Sequence, residues 1–143
     1  MITSTSNPQI KRLLQLQKKA KVRDEENVFV VEGLRMFAEV PNNRVEKVYI
    51  SESLYNRKKH DLNLQEFPLE ILSDQVFGHV SDTKTPQGIL CVVKREKYDL
   101  EELLQVGNPH FVVLDNLQDP GNMGTIVRTA EAAGVDAVFM SKD

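Results

Sequence analysis

The sequence predicts an α/β protein in two parts. Short apolar runs of strand length alternate with helical patterns from residue 28 to residue 94. After a charged stretch, a strand–loop–helix–strand pattern occupies residues 111–140. Hydrophobic residues make up 41% of the 143-residue chain, which is adequate for a core, and no apolar run approaches the length of a membrane span. The first part is therefore expected to be a small α/β sandwich.

The chain is expected to open with a helix. Asn7 followed by Pro8 is typical of a helix cap with proline at the first helical position. Ile10, Leu13 and Leu14 then form one apolar stripe, so the basic residues between them point to solvent. The residues before the helix contain no apolar core of the kind that secretory signals have.

Four strands are predicted in the first part, at residues 28–32, 45–50, 69–72 and 89–94. Gly33 permits a tight turn from the first strand into a helix that ends near residue 40. Ser51 or Ser53 begins a second helix, which runs to about residue 60, and Ser73 caps a third. Residues 95–109 form a charged boundary with a short helix at 100–105.

The net charge of −3 hides a strong asymmetry at the amino terminus. Residues 1–23 contain no acid, and Asp24 then begins a short acidic run. Such an arm indicates either a nucleic-acid contact or a solvated helix face, and both readings stay open at this point. The basic residues of this arm are Lys11, Arg12, Lys18, Lys19, Lys21 and Arg23.

Several site classes find no support in the pattern. Cys91 is alone inside an apolar run, which favours a buried, inert thiol over a nucleophile or half a disulfide. His60, His79 and His110 are widely separated and have no Cys or acid at ligand spacing, so no metal site is expected. The sequence shows neither a serine nucleophile elbow nor a phosphate-binding P-loop.

The second part places polar groups at the end of a strand. A strand at residues 111–114 is expected to be buried and parallel to a second strand at 137–140, with a helix between them that Gly134 ends. The loop at 115–124 lies outside the carboxyl end of the first strand, where α/β proteins form sites. Asn122 and Arg128, beside a helix start, suit an anionic ligand. The alternative is a helix cap at Asn122 and a surface ion pair at Arg128.

Residues 119–134, DPGNMGTIVRTAEAAG, resemble the first motif of the SpoU (TrmH-like) branch of the SPOUT RNA methyltransferases. The family pattern is an Asn, a Gly two residues on and an Arg four further, and Asn122, Gly124 and Arg128 match it. Residues 6–11, 29–33 and 85–90 are similar to the family's amino-terminal substrate-binding domain, including its Pro-Gln-Gly signature at residues 86–88. The resemblance therefore covers nearly the whole chain.

The resemblance implies transfer of a methyl group from S-adenosylmethionine to a ribose 2′-hydroxyl, in ribosomal RNA rather than transfer RNA. It implies an RNA-binding domain of ribosomal-protein type at residues 1–95, a linker with a short helix at 96–109, and the first β-α-β of a knotted methyltransferase domain at 110–143. Arg128 would act on the 2′-hydroxyl as base or as phosphate clamp, and Asn122 would shape the site. The candidate RNA contacts are Lys11, Arg12, Lys18, Lys19, Arg23 and Arg35, although Arg35 has an alternative partner in Glu32 or Glu39.

The family's cofactor site and dimer interface belong to later motifs, which form a carboxyl-terminal knot. The chain is therefore expected to be a truncated form that has no cofactor-binding residues of its own and is inactive alone. A cytoplasmic location is expected separately, from the lone Cys91 and the lack of a secretory or membrane-spanning pattern. The full-length protein is expected to be a homodimer. Two other functions stay open: a stand-alone RNA-binding module, and a phosphate- or nucleotide-binding α/β protein unrelated to RNA.

Overall fold

The computed structural model describes residues 1–96, 100–105, 107, 110–114, 120–135 and 137–140. The chain divides into two compact units, Met1–Glu96 and Lys97–Asp143. The first unit contains most of the buried side chains, and the second contains the segment that resembles a methylase motif.

The first unit is built on a four-stranded mixed sheet. The strands are β1 (Val28–Glu32), β2 (Val45–Ser51), β3 (Leu69–Leu72) and β4 (Ile89–Lys94). Their order across the sheet is β1-β4-β2-β3, with β4 antiparallel to both neighbours and β2 parallel to β3. The carboxyl ends of β1, β2 and β3 therefore share one edge of the sheet with the start of β4. All four strands were predicted from their apolar runs, and the structure confirms them.

Five helices cover the sheet: α1 (Pro8–Lys18), α2 (Ala20–Glu26), α3 (Leu34–Glu39), α4 (Glu52–Lys58) and α5 (Asp74–Val80). Short 3-10 turns at Asn42–Arg44 and Leu64–Glu66 complete the unit. The side chains of Asn7, Ser51 and Ser73 accept backbone N–H groups at the starts of α1, α4 and α5, which confirms the predicted caps.

The core lies on both faces of the sheet, because successive residues of a strand point to opposite sides. On β4, Leu90 and Val92 pack with α1 and α5, whereas Ile89, Cys91 and Val93 pack on the side of α3 and α4. These five residues are almost completely buried, as expected for a central strand. Cys91 is buried, as predicted, and burial raises the pKa of its thiol to about 12.

A register shift in β2 changes which side chains share a face. Val45 pairs with Val93, while Lys47 pairs with the adjacent Val92, so one extra residue lies between them. Val45 and Val48 consequently belong to the same core face despite an odd spacing. Lys47 lies on the opposite face, where its ammonium donates to Gln9 at 2.9 Å.

Helix α2 has no counterpart among the predicted elements. Lys19 adopts an extended conformation between α1 and α2, and Asn27 ends α2 in the left-handed region with φ 57°. The sequence of α2, AKVRDEE, lacks the apolar stripe from which helices are recognised, and accordingly none of its residues is fully buried. The basic arm of residues 1–23 is therefore two helices, and the acidic run that follows it forms the last turn of the second.

The second unit contains α6 (Leu100–Leu104), β5 (Phe111–Leu114), α7 (Pro120–Ala132) and β6 (Ala137–Met140). Strands β5 and β6 pair in parallel, as predicted, and Gly134 has φ 74° at the end of α7. The expected burial of β5 was wrong, since Val113 is 72% exposed. Val112 lies against α7, so the alternating pattern places Val113 on the face that this helix does not cover.

The predicted start of the helix between β5 and β6 was also wrong. Helix α7 begins at Pro120 rather than after residue 124, so five residues assigned to the loop, 120–124, belong to its first turns. Proline is favoured at the first helical position, because its fixed φ matches the helix and its missing N–H has no partner there. The remaining loop residues, 115–119, lie outside the described part of the structure.

Candidate functional site

Helix α7 carries the three residues of the methylase-like motif. Asn122 is the third residue of the helix, so it is not the cap residue, and its side chain lies outside the described atoms. Arg128 lies two turns further on and is exposed. Its Nε donates to the Gly124 carbonyl at 3.2 Å, so the side chain runs back toward the start of the helix. No acid among the described residues forms an ion pair with Arg128, so the alternative of a surface ion pair finds no support there.

Gly124 has no packing reason to be glycine within the described residues. A Cβ placed there would meet none of their atoms within 4 Å. Glycine inside a helix costs about 1 kcal/mol relative to alanine, because it loses more backbone freedom on folding. A glycine with open space above it, next to an exposed guanidinium, is suited to a backbone that a ligand approaches closely.

The candidate RNA contacts of the amino-terminal arm fall into two groups. Lys11, Lys18 and Lys19 are exposed. Arg12, in contrast, contacts Glu26 at 2.7 Å and Glu46 at 3.2 Å. Burial alone would lower the pKa of Arg12, but its hydrogen bonds and charge interactions with the two glutamates outweigh that effect and raise the pKa.

Arg23 joins the two amino-terminal helices. Its Nη1 donates to the carbonyl of Leu16 at 2.6 Å and to that of Gln17 at 3.2 Å, near the end of α1. Carbonyl groups at a helix end lack partners within the helix, so a cation there is favourable. Arg12 and Arg23 therefore hold the fold together in this structure, while the three lysines are available to a ligand.

Arg35 lies apart from these residues. It belongs to α3, which packs on the opposite face of the sheet from α1. Its side chain is 93% exposed, and its Nε is 3.9 Å from a carboxylate oxygen of Glu39 one turn along the helix. The structure confirms this alternative partner, although an exposed pair of this kind is weak.

The Pro-Gln-Gly segment at residues 86–88 has a structural role at the sheet edge. Gln87 accepts the backbone N–H of Leu34 at 2.8 Å through its side-chain oxygen, which satisfies the first turn of α3. Gly33 and Gly88 both have positive φ, 102° and 105°. A Cβ on Gly88 would overlap the Ser51 hydroxyl oxygen, so glycine is required there for space as well as for conformation.

Replacing Gln87 by alanine should therefore lower the free energy of unfolding by about 1 kcal/mol, because the Leu34 N–H loses its partner at the start of α3. Urea denaturation followed by circular dichroism measures the change. Gln65→Ala, another exposed glutamine, is the matched control and should change the free energy by less than about 0.5 kcal/mol. Equal effects of the two substitutions would contradict the capping role.

Two side-chain contacts at this edge had no signal in the sequence. Glu32 accepts hydrogen bonds from the hydroxyls of Ser81 and Thr83 and from the backbone N–H of Asp82, which ties the end of β1 to the loop after α5. Ser53 donates to Asp74, and its hydrogen bonds lower the pKa of that carboxyl group. These partners are 21 to 51 residues apart in the chain, so only the fold brings them together.

No cluster of three or more His, Cys, Asp or Glu side chains suited to a metal ion occurs within the described residues. Among the helices that the structure describes, none is long and apolar enough to cross a membrane.

The order of the two units agrees with two family profiles. Residues 7–91 match the MRM3-like substrate binding domain, and residues 109–143 match the SpoU rRNA Methylase family. The chain belongs to the SpoU family and carries its MRM3-like substrate-binding domain. This confirms the resemblance that the motifs indicated.

Two relatives are similar over most of the chain. The 23S rRNA (guanosine(2553)-2′-O)-methyltransferase RlmP of Bacillus subtilis is 31% identical over 97% of this chain and 53% of its own length. The 23S rRNA (guanosine-2′-O-)-methyltransferase RlmB of Haemophilus ducreyi is 33% identical over 82% of this chain and 52% of its own length. The chain thus spans about half the length of these curated relatives.

Solved structures confirm the predicted α/β fold of a SpoU methyltransferase. An RNA 2′-O ribose methyltransferase matches with a TM-score of 0.70 and 29% identity, over 99% of this chain and 55% of that protein. An AdoMet-bound rRNA methyltransferase from Sinorhizobium meliloti matches with a TM-score of 0.72 over 99% of this chain and 54% of that protein. At 24% identity, the second likeness concerns the fold alone.

Proposed function

We propose that this chain provides the RNA-binding domain and the first catalytic segment of an S-adenosylmethionine-dependent ribosomal RNA ribose 2′-O-methyltransferase. The observation that carries the proposal is the pair of family matches in the right order, with Gly124 and Arg128 in contact on α7. The named relatives act on 23S rRNA, which favours ribosomal over transfer RNA. The protein would work in the cytoplasm, and its full-length form would be a homodimer.

Arg128 is proposed to grip the phosphate beside the reacting ribose. A guanidinium stays protonated in proteins, so it is a poor general base but a good partner for a phosphate. Its planar fork can hold two phosphate oxygens while the 2′-hydroxyl passes its proton to a phosphate oxygen, and its charge stabilises the developing oxyanion. The exposed position of Arg128, directed to the start of α7, suits this role. Asn122 would shape the same end of the helix.

The described residues do not form a fitting site for S-adenosylmethionine. Between β5 and α7 lies an open groove of about 310 Å³, which is almost entirely apolar. Its Thr129 hydroxyl already donates to the Thr125 carbonyl at 2.8 Å. An adenosine, an amino group and a carboxylate need several polar partners. We therefore place the cofactor site in the half of the relatives' length that this chain does not span. The groove residues are Val112, Thr125, Ile126, Thr129, Ala130, Ala133 and Val135.

Titration calorimetry with S-adenosylmethionine tests this division. Two proteins are titrated: this chain, and a longer protein that contains this chain and is as long as the curated relatives. Binding only by the longer protein, together with methylation of a ribose in 23S rRNA, is the expected result. Tight binding by the 143-residue chain would contradict the placement of the cofactor site.

The first unit is proposed to bind RNA through the exposed lysines of its amino-terminal helices. Lys11 and Lys18 lie on α1, and Lys19 follows it directly, so their ammonium groups can follow a phosphate backbone. The fold roles of Arg12 and Arg23 make these arginines poor sites for a test, since neutralising them would also disturb packing. Arg35, on the other face of the sheet, is retained as a separate candidate contact.

The double variant Lys18→Ala/Lys19→Ala should weaken RNA binding at low salt and make the affinity less dependent on salt. Each lysine–phosphate interaction that is removed should reduce the slope of log K against log salt by roughly 0.7 to 0.9, so the loss of both should reduce it by roughly 1.4 to 1.8. Fluorescence anisotropy with a 23S rRNA fragment between about 50 and 200 mM salt measures the slope. Lys84→Ala/Lys94→Ala removes two exposed lysines elsewhere and is the matched control. Identical slopes for the two double variants would reject this surface.

A plain RNA-binding module is the second candidate function. The observation that favours it is the first unit, which has a hydrophobic core on each face of its sheet and matches the substrate-binding profile. RNA affinity of the longer protein without any methyl transfer would select it.

A further inference from the structure

The end of α4 carries a second basic run, in addition to the basic residues of the amino-terminal arm. Residues 57–60 are Arg, Lys, Lys and His, and all four side chains are exposed. The run crosses two sides of the helix: Arg57 lines a pocket beside Gly88, while Lys59 and His60 line another. The position of cations at a helix end is favourable in itself, so charge alone does not assign a ligand.

The second pocket supplies the independent observation. It has a volume of about 250 Å³ and lies between the end of α4, the 3-10 turn at Leu64–Glu66 and the start of β3. Leu64 is 5% exposed and provides an apolar floor together with Leu69. Its six lining residues are Tyr55, Lys59, His60, Leu64, Gln65 and Leu69, none of which is acidic.

The lining combines three kinds of contact. Tyr55 is half-buried and offers an aromatic ring, with the Lys59 ammonium 5.8 Å from the ring centroid. His60 offers a second, exposed ring, and Gln65 offers an amide that both donates and accepts hydrogen bonds. Lys58 and Lys59 place positive charge at the end of the same helix. Aromatic rings that stack bases, beside cations that contact phosphates, are the usual composition of single-stranded nucleic-acid sites.

We propose that this pocket, which we call the α4 pocket, binds one unpaired nucleotide of the RNA substrate. The base enters against Tyr55, His60 and Leu64. It displaces the exposed Lys59 side chain from the Tyr55 ring, and Lys58 and Lys59 then contact the adjacent phosphates. The inference rests on the proposed function, because it takes RNA as the partner, and it adds a second contact apart from the lysines of α1. An acidic peptide would satisfy the cations, but it would leave the apolar floor and the aromatic ring unused.

The test compares two RNAs and four variants of the 143-residue chain by fluorescence anisotropy. One probe is a single-stranded RNA about 12 nucleotides long, and the other is the same backbone with abasic riboses at its centre. Tyr55→Leu removes the ring and Tyr55→Phe keeps it. Lys59→Ala/His60→Ala changes only exposed side chains, so it avoids the risk that Tyr55→Leu disturbs the fold. His79→Ala/Lys84→Ala removes the same two residue types at exposed positions that do not line the α4 pocket.

The unmodified chain should bind the intact RNA about tenfold more tightly than the abasic RNA, because the abasic RNA has no base to stack in the pocket. Tyr55→Leu and Lys59→Ala/His60→Ala should abolish that difference, whereas Tyr55→Phe and His79→Ala/Lys84→Ala should preserve it. Equal affinity of the unmodified chain for both RNAs would overturn the α4 pocket while leaving RNA binding itself intact. Binding of neither RNA would overturn the proposed function as well. Binding of poly-glutamate as tightly as RNA, abolished in Lys59→Ala/His60→Ala, would assign the pocket to an acidic protein and reject the inference.

Discussion

Gly88→Ala should lower the free energy of unfolding of the first unit by about 2 to 4 kcal/mol. The backbone of Gly88 has φ 105°, a conformation that is strained for any residue with a Cβ. The added methyl group would overlap the Ser51 hydroxyl oxygen and lie 3.0 Å from the Leu54 Cβ. Ser51 is buried and caps α4, so it cannot move without disturbing that helix. The loss is measured as a lower urea midpoint with an unchanged m-value.

Gly78→Ala is the matched control for this experiment. Gly78 lies inside α5, and a Cβ there would meet no atom of the described residues within 4 Å. The same chemical change should therefore raise stability, by about 0.5 to 1 kcal/mol, because alanine is the better helix former. A loss at Gly88 no larger than about 0.5 kcal/mol would mean that the strand–helix edge relaxes freely around residue 88.

Arg128→Lys should lower the rate of methyl transfer by on the order of 100-fold in a protein that contains this chain and extends to the relatives' length. The substitution keeps the positive charge but removes the planar fork that holds two phosphate oxygens at once. The helix itself should not change, since Arg128 is exposed and lysine is an equally good helix former. Incorporation of labelled methyl groups into 23S rRNA measures kcat and KM separately, and the effect should fall mainly on kcat.

Arg95→Lys makes the same exchange at a residue of the first unit that is not part of the methylase-like motif. Arg95 contacts Asp24 at 2.6 Å in the first unit, and the pair is partly exposed, so its loss should cost little stability and leave kcat unchanged. Calorimetry with S-adenosylmethionine then shows whether Arg128→Lys still binds the cofactor. A variant that binds the cofactor normally and keeps nearly full kcat would exclude a phosphate clamp at Arg128.

The strands could be predicted closely because each has an apolar run of the right length between polar turns. The start of α7 shows where the same rules compete. Pro120 followed by Gly121 is typical of a turn and favours a loop at 115–124, whereas Pro8 after Asn7 is typical of the first residue of a helix. Both prolines begin helices in the structure. The glycine after Pro120 favours the turn, and no neighbouring residue distinguishes a turn from a helix start at this proline.

The candidate site was predictable in its residues but not in its contacts. The spacing of Asn122, Gly124 and Arg128 identified the motif, while the hydrogen bond from Arg128 to Gly124 depends on one choice of side-chain conformation. Arg12 belonged to a basic run in the sequence, but its partner Glu46 comes from a strand 34 residues away. Helix α2, which supplies Glu26, has no apolar stripe to reveal it.

The position of β4 has a consequence for how the protein is made. It is the last strand of the first unit to leave the ribosome, yet it lies between β1 and β2 and contributes to both core faces. Until it emerges, β1 has no partner in the sheet, and the helices have no continuous surface to cover. The first unit should therefore remain open during most of its synthesis and close in a single late step, when residues 89–94 become free. A nascent chain stalled before that step would expose apolar surface to chaperones.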